Sequence, residues 1–328
     1  MQTLLLDTAA VEAGAPIATV VDAVEDAFGA YERENAIMPA KSYIDLPQYN
    51  GDFRSMPAYL DAGDWDAAGV KWVNVHTENP QEHDLPTVMG TMIYTDPETA
   101  FPLAILDGTA ITRLRTGAAA AVATRHLAIE EARSLGLVGA GAQSYTQLEA
   151  IASVRDIERV VIADRNPERQ EAFIDAFADR FEVEAGSIAE AAACDVLSTV
   201  TPVREPIVSR EALGGHTHVN AIGADAEGKQ EHELQTLLDA RLIIDDYEQC
   251  VHSGEINVPY AAGEVTDDDI NGELGQIVAG NAPGRQPADR LTLFDSTGLA
   301  IQDVAAAHTV YEQASTTDHG DPYGLLDV

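Results

Sequence analysis

One stretch of glycines and small residues constrains this chain more than any other feature of its sequence. It runs Ser134-Leu-Gly-Leu-Val-Gly-Ala-Gly-Ala-Gln-Ser144, an apolar run that breaks into glycines and leads into an amphipathic segment. This order predicts a strand, a tight turn and a helix whose N-terminus presents free N–H groups to a pyrophosphate. Residue 144 is Ser where the full fingerprint has Gly or Ala, so a plain strand-to-helix turn stays open as the alternative.

A second signal for a dinucleotide site is an acid at the end of the following strand. The next apolar run, Val160-Val-Ile-Ala, leads to Asp164, 25 residues after Gly139. Dinucleotide-binding folds place the acid that holds the adenosine ribose at about this distance. Asp164 favours NAD over NADP because its charge would repel a 2′-phosphate, whereas the adjacent Arg165 has the opposite effect.

The composition is typical of a globular protein with two domains. The chain has 328 residues, of which 45% are hydrophobic and 23% charged. No apolar run approaches the roughly 18 residues of a membrane span, and the first residues lack the pattern of a secretory signal. Two cysteines without a Cys/His cluster argue against a metal site. We therefore expect a cytoplasmic protein that holds no metal.

The net charge of −36 limits the partners that this chain can have. Nucleic acids and anionic membranes both require a basic face, so neither is expected. The acids are spread through every segment, which is typical of proteins that stay soluble in concentrated salt. The sequence therefore predicts a halophilic source.

Lysine is nearly absent from the chain. Of 19 basic residues 16 are arginine, and the lysines are Lys41, Lys71 and Lys229. If lysine has been removed from the surface, those that remain are candidates for chemistry. The alternative is that they are three leftover surface lysines.

The order of patterns predicts an α/β fold class with two domains. Residues 11–36 have apolar residues at helical spacing, and the short runs that follow predict a mostly antiparallel sheet. An alanine-rich helix is expected from Thr112 to about Glu131. Beyond the glycine turn, strands and helices alternate, which predicts a Rossmann-type doubly wound parallel sheet. Its strands are expected near 135–138, 159–163, 181–184, 195–200, 218–222, 241–245 and 291–294.

These patterns set the expected domain boundaries. An α+β substrate domain is expected at residues 1–118 and the Rossmann domain at 119–298. A helix over Leu299–Ala314 begins the C-terminal segment, 299–328, which we expect to pack back on the first domain. The polar tail from Thr316 onward is expected to be loose.

The first domain carries four cations beside turn residues. They are Lys41, Arg54, Lys71 and Arg115. In a chain this poor in basic residues they indicate an anionic substrate, and arginine suits a carboxylate because its planar fork can bind both oxygens. Each one alone can equally be a counter-ion for the abundant acids.

The second domain contains an acid where a parallel strand is expected to end. The segment Asn220-Ala-Ile-Gly223-Ala-Asp225 places a carboxylate at that position, and Lys229 follows four residues later. Such an acid is well placed for proton transfer near a nicotinamide, although a helix N-cap is the alternative. Ser296 follows another expected strand, where its hydroxyl could contact the cofactor or cap the next helix.

Several stretches together resemble the ornithine cyclodeaminase/mu-crystallin family. They are Lys71-Trp-Val-Asn-Val-His with Asn79-Pro80, Arg115-Thr-Gly-Ala-Ala, Gly139-Ala-Gly-Ala-Gln, His218 to Gln230, and Phe294 to Asp303. The resemblance covers about residues 35–305. It implies a homodimer built through the first domain, an NAD cofactor in the second, and chemistry that begins with hydride removal from the α-carbon of an amino acid.

The resemblance also implies roles for individual residues. Lys71 and Asp225 would be catalytic, and Arg115 with Lys41 or Arg54 would bind the substrate carboxylate. The cofactor would be bound by Thr87, Arg115, Thr116, Gly139, Gly141, Ala142, Gln143, Asp164, Arg165, Gly223, Lys229 and Ser296.

The family has branches that differ in outcome. Cyclodeaminases convert ornithine to proline without net redox, archaeal alanine dehydrogenases yield pyruvate, ammonia and NADH, and mu-crystallin-like members reduce ketimines or bind hormone. Cyclodeaminases carry a glutamate before a Met-Pro pair, whereas Met56-Pro57 here follows Arg54-Ser55. An arginine would repel the second ammonium of ornithine. We therefore predict NAD-dependent deamination of L-alanine, with a cyclodeaminase and a ketimine reductase or binding protein as alternatives.

Overall fold

The computed structural model describes residues 1–317 and 319–326. The chain divides into two compact units. Unit 1 combines residues 1–115 with the C-terminal segment from Leu299, and unit 2 is Thr116–Gly298. The division falls three residues before the expected boundary at 118, inside a helix that runs from Gly108 to Leu127.

Unit 1 is built on one mixed sheet. Its strands are β1 Thr3–Leu6, β2 Ala36–Ile37, β3 Ser42–Leu46, β4 Gly51–Asp61, β5 Asp66–His76, β6 Val88–Thr95, β7 Pro102–Asp107 and β16 Asp321–Tyr323. Their order is β16-β1-β7-β6-β5-β4-β2, and β3 also pairs with β4. All pairs are antiparallel except β1 with β7.

Two long helices cover one face of this sheet. The helices of unit 1 are α1 Thr8–Ala13, α2 Ile17–Glu32, α3 Asn79–Glu82 and α12 Ala300–Thr316, and α4 Gly108–Leu127 begins there. Helix α2 packs on α12, and α12 packs on β4 and β5. The helical spacing of apolar residues in α2 places Val20, Val24 and Phe28 in the core, where all three are fully buried.

The expectation of a loose tail is wrong for part of the C-terminal segment. Strand β16 pairs antiparallel with β1, with Thr3 opposite Tyr323. A strand that joins the edge of a sheet needs only main-chain hydrogen bonds, so its exposed polar residues gave no apolar signal. The same expectation also covers Asp318, Asp327 and Val328, which lie outside the described residues.

Unit 2 is a parallel sheet with helices between its strands. The strands are β8 Ser134–Val138, β9 Arg159–Ala163, β10 Glu182–Ala185, β11 Val196–Thr199, β12 His218–Ala221, β13 Arg241–Ile244, β14 Ile270–Glu273 and β15 Thr292–Asp295. The helices are α5 Ala142–Ala152, α6 Pro167–Phe177, α7 Ile188–Ala192, α8 Leu234–Asp239, α9 Tyr247–Ser253, α10 Asn257–Ala261 and α11 Leu274–Val278.

The strand order of unit 2 fixes where a ligand can bind. It is β10-β9-β8-β11-β12-β15-β13-β14, with every pair parallel. Chain order reverses between β8 and β11, and doubly wound sheets bind ligands at this switch point, outside the carboxyl ends of the strands. The predicted α/β fold class with a Rossmann-type sheet is confirmed. Among the described residues, no helix is long and apolar enough to cross a membrane.

Candidate active site

Lys71 lies at the centre of a buried polar cluster in unit 1. It is on β5 and only 1% exposed. Its Nζ donates hydrogen bonds to Asp303 Oδ1 at 2.6 Å and to Thr112 Oγ1 at 3.0 Å. Strand β5 supplies the lysine, α12 the aspartate and α4 the threonine, so three elements meet at one ammonium.

Arg115 binds the same carboxylate oxygen. Its Nε donates to Asp303 Oδ1 at 3.1 Å, and its Nη1 donates to Gln302 Oε1 at 3.2 Å. Arg115 is 8% exposed, and Asp303 is completely buried. One carboxylate oxygen therefore sets the relative position of two cations that the sequence proposed as functional.

Burial brings the titration of Lys71 close to neutral pH. The pKa of Lys71 is lowered from its usual 10.5 to about 7, chiefly because burial disfavours the charged form. The charges of Arg115 and Lys41 lower it further, while Asp303 opposes them. A lysine with this pKa can give and take a proton under physiological conditions.

The other proposed carboxylate ligands are spread along the sheet of unit 1. Lys41 immediately precedes β3 and is half-buried. Arg54, on β4, pairs with Asp52 at 3.0 Å and lies over the ring of Tyr43 at 5.5 Å. Its charge is thus largely balanced within its own strand, which the sequence did not reveal.

Two proposed cofactor residues, Thr87 and Thr116, have main-chain carbonyls that accept hydrogen bonds. Thr87 immediately precedes β6, and its carbonyl accepts a hydrogen bond from His76 N at 2.8 Å. Thr116 is buried in α4, and its carbonyl accepts from Gln147 Nε2 at 3.2 Å.

The glycine turn of unit 2 has the geometry of a phosphate cradle. Gly139 has a φ of +103°, which side chains rarely adopt. Gly141 is the N-cap of α5, and a Cβ added there would meet no atom within 4 Å. Ala142 and Gln143 form the first turn, and Gln143 Oε1 is buried with no hydrogen-bond partner in the described chain. The open helix N-terminus fits a pyrophosphate.

Asp164 is held rigidly beside this turn. Its Oδ2 accepts from Ala140 N at 2.7 Å and its Oδ1 from Asn166 N at 2.8 Å. A cavity of about 520 Å³ opens here, lined by Gly139, Gly141, Asp164, Arg165, Arg169 and Thr201 among others. This volume is in the range of cofactor sites, and the residues present fit an adenosine and its phosphates.

Asp225 lies in a loop and pairs with Lys229. The carboxylate side chain is 43% exposed and that of Lys229 is 20% exposed. The next α-helix, α8, begins only at Leu234, so the alternative that Asp225 caps a helix is wrong. The loop begins at Gly223, where an added Cβ would approach Thr201 O to 2.2 Å, so only glycine fits.

Ser296 follows β15 and is buried against a carboxylate. Its hydroxyl donates to Asp245 Oδ2 at 3.1 Å. The same oxygen accepts from Thr297 N at 2.7 Å and Gly298 N at 2.9 Å. Ser296 therefore belongs to a hydrogen-bonded turn at the carboxyl edge of the sheet.

Sequence reasoning missed a chain of buried acids in unit 2. Glu231 accepts from Gly223 N at 2.9 Å and Thr201 N at 2.8 Å. Glu255 accepts from Glu231 N, and Asp295 accepts from Glu255 N at 2.8 Å. Burial raises the pKa of all three acids, that of Asp295 to about 8. They join the ends of β11, β12 and β15, but no pattern in the sequence marks an acid as buried.

No group of three or more potential metal ligands occurs in residues 1–317 and 319–326.

Comparisons with known proteins agree with this architecture. The pattern of the ornithine cyclodeaminase/mu-crystallin family matches residues 1–318. An alanine dehydrogenase from Archaeoglobus fulgidus is 43% identical over 321 residues, which cover 98% of each chain. A solved archaeal alanine dehydrogenase dimer with bound NAD superposes with a TM-score of 0.93 at 42% identity, covering 99% of this chain and 100% of that chain.

A third relative catalyses a different reaction. The Δ1-pyrroline-2-carboxylate reductase of Thermococcus litoralis, solved with NADH and L-proline, superposes with a TM-score of 0.92 at 34% identity. The superposition covers 97% of this chain and 99% of the reductase chain. The two-unit α/β architecture, with its glycine turn and adjacent acid, is that of dinucleotide-dependent oxidoreductases. The chain belongs to the ornithine cyclodeaminase/mu-crystallin family.

Proposed function

We propose that this chain catalyses the NAD-dependent oxidative deamination of L-alanine. Alanine, NAD⁺ and water would give pyruvate, ammonium, NADH and a proton. The observation that carries the proposal is Lys71, a buried amine with a pKa of about 7 that donates to the same Asp303 oxygen as Arg115. The identity of 43% with an alanine dehydrogenase supports the choice of substrate.

Unit 1 supplies the groups for an amino acid. The guanidinium of Arg115 would bind the α-carboxylate, assisted by Lys41 or by Arg54. Neutral Lys71 would take a proton from the α-ammonium, which leaves the amine lone pair free to assist loss of the α-hydrogen. The low exposure of Lys71 and Arg115 strengthens both interactions because little water competes.

Unit 2 supplies the groups for the cofactor. Gly139, Gly141 and the first turn of α5, Ala142 and Gln143, would bind the pyrophosphate, and Asp164 the adenosine ribose. Arg165, Gly223, Lys229, Ser296 and Thr116 of the same unit would complete this set, and Thr87 and Arg115 are proposed as cofactor residues from unit 1. When bound, NAD accepts the α-hydrogen as hydride. Asp225 would accept the proton of the water that adds to the resulting iminium carbon, and Lys229 would hold the Asp225 carboxylate in place.

Imine reduction is the second candidate function. It is supported by the reductase from Thermococcus litoralis, which matches nearly the whole chain. Ornithine cyclodeamination is disfavoured by Arg54, although Asp52 balances much of that charge. A protein that binds cofactor without turnover is a further alternative, which the near-neutral pKa of Lys71 disfavours.

The test is NADH absorbance with NAD and L-alanine, L-ornithine or L-proline in parallel at high salt. Net NADH formation with alanine is the expected result. Net NADH with proline alone would instead assign imine reduction, and proline formation from ornithine without net NADH would assign cyclodeamination. We propose that the enzyme acts in the cytoplasm as a homodimer. The dimeric state of the archaeal relative supports the homodimer.

A further inference from the structure

Asp303 is the common partner of Lys71 and Arg115. It is on α12, one turn from the helix start, and completely buried. Its Oδ1 accepts from Lys71 Nζ at 2.6 Å and from Arg115 Nε at 3.1 Å. Burying a carboxylate costs desolvation free energy, which here is offset by its attraction to two cations and by the hydrogen bonds that they donate.

We propose that Asp303 is a positioning residue of the reaction, which fixes Lys71 and Arg115 in one geometry and controls the protonation of Lys71 through its charge. This rests on the proposed function, in which Arg115 binds the carboxylate and Lys71 exchanges a proton. A single oxygen that accepts from both cations couples the binding group to the proton-transfer group. When one cation moves and draws this oxygen with it, the hydrogen bond from the other cation lengthens.

The charges around Lys71 make Asp303 its principal stabilising partner. Strands β4 and β6 place Met56 and Met92 opposite Lys71, so neither adds a charge at that register position. Arg115 and Lys41 both oppose the protonated amine. Asp303 supplies the negative charge that favours it, so removing this charge should make Lys71 easier to deprotonate.

The second oxygen of Asp303 makes one substitution unusually clean. Oδ2 is buried and has no hydrogen-bond partner in the part of the chain that the structure describes. In Asp303→Asn the amide oxygen can keep both hydrogen bonds of Oδ1, and the amide nitrogen can occupy the position of Oδ2 without meeting a donor. The variant therefore removes the charge and retains the acceptor.

The experiment compares pH profiles of kcat/KM for alanine oxidation. In Asp303→Asn the midpoint of the acid limb should move down by about one pH unit or more. The KM for alanine should rise, because Arg115 loses its ionic partner, while the Kd for NAD should stay within about twofold. An active Asp303→Asn enzyme with the wild-type midpoint would overturn the proposal.

Two further variants separate charge from packing. Thr112→Val removes the uncharged partner of Lys71 and should shift the midpoint by less than about half a unit. Asp303→Glu restores the charge, so its midpoint should lie nearer to wild type than to Asp303→Asn, even if its kcat is low. Equal shifts in Thr112→Val and Asp303→Asn would contradict a role for the charge.

A second readout does not depend on the reaction. Lys71 is protonated in the unfolded chain up to pH about 10.5, but in the folded chain only up to about 7. In Asp303→Asn the pKa of Lys71 in the folded chain should be lower still. The stability of the variant therefore keeps falling as pH drops below 7, whereas the contribution of Lys71 to the stability of wild type no longer changes there. The Tm gap between the two should widen from pH 7 to pH 6.

This second readout distinguishes the two failures. If wild type does not oxidise alanine, the proposed function fails, and the Tm gap still tests Asp303. A Tm gap that is constant with pH would overturn the control of Lys71 by Asp303, whichever substrate the enzyme uses.

Discussion

The chemistry proposed for this chain depends on a few residues whose surroundings set their properties. The rarity of lysine pointed to Lys71 as a functional residue, and Arg115 was one of the four cations of the first domain that indicated an anionic substrate. Their common partner Asp303 lies 232 residues beyond Lys71 in the chain. Spacing along a sequence cannot reveal such a contact, because the fold alone brings α12 beside β5. The pairing of Arg54 with Asp52 was hidden for a different reason, since acids flank most arginines in this chain.

At the residue scale, the pH dependence of catalysis should follow Lys71. Because the neutral amine takes the proton, kcat/KM for alanine oxidation should rise with pH through about 7 and then level off. Reductive amination of pyruvate should show the opposite limb, since it needs the protonated amine. Lys71→Met should lower kcat by about 100-fold or more while the Kd for NAD is retained. A Lys71→Met enzyme with near-normal turnover would exclude the role.

At the element scale, the parallel sheet was predictable and two of the edge strands were not. Apolar runs located seven strands of unit 2 to within a few residues, because buried parallel strands are continuously apolar. Strand β14, Ile270-Asn-Gly-Glu, was missed because it lies at the sheet edge and has little apolar character. Strand β16, at the edge of the sheet of unit 1, was missed as well. The glycine turn was predictable because its backbone geometry requires glycine.

Two glycines of the strand and turn, Gly136 and Gly141, should respond differently to substitution by alanine. A Cβ at Gly136 on β8 would lie 1.9 Å from Ala191 O, so Gly136→Ala should cost about 3 kcal/mol or more of unfolding free energy. A Cβ at Gly141 meets no atom within 4 Å and its φ is −86°, so Gly141→Ala should keep the wild-type Tm. It should nevertheless weaken NAD binding by about tenfold or more, because the backbone must approach the pyrophosphate closely. Thermal unfolding and NAD titration measure both effects.

If Gly141→Ala bound NAD as tightly as wild type, the turn would not be the pyrophosphate site. If Gly141→Ala lowered the Tm as much as Gly136→Ala, the open space around Gly141 would be contradicted.

At the scale of the whole molecule, the sheet of unit 1 has one face turned away from α12. Successive residues of a strand point to opposite faces, so Trp72 lies on the face opposite to Lys71. Trp72 is 43% exposed and stacks on Phe53 at 5.2 Å. Ile93 and Ile44 are exposed on the same face by register. A broad exposed apolar face of this kind is typical of a subunit interface.

We expect this face to form the proposed homodimer. Trp72→Glu should convert the protein to monomers of about 35 kDa in sedimentation velocity, because a charge would be buried in the interface. Leu238→Glu is the matched control: Leu238 is 41% exposed on α8 of unit 2 and should leave the dimer intact. Dissociation by the control alone would place the interface elsewhere.

The net charge should make stability depend on salt. With 55 acidic and 19 basic residues, the folded chain repels itself at low ionic strength. Potassium chloride shortens the screening length from about 10 Å at 0.1 M to about 3 Å at 1 M, so the Tm should rise by several degrees over this range. Sucrose, which does not screen charge, is the control for general solute effects. A Tm that is independent of salt would contradict the expected adaptation to high salt.

The most direct test of the account uses L-alanine with deuterium at the α-carbon. If the enzyme removes that hydrogen as hydride, mass spectrometry should find one deuterium in each NADH formed, and pyruvate should appear in equal amount. Unlabelled NADH, or pyruvate formed without NADH, would contradict direct oxidation of the amino acid at its α-carbon.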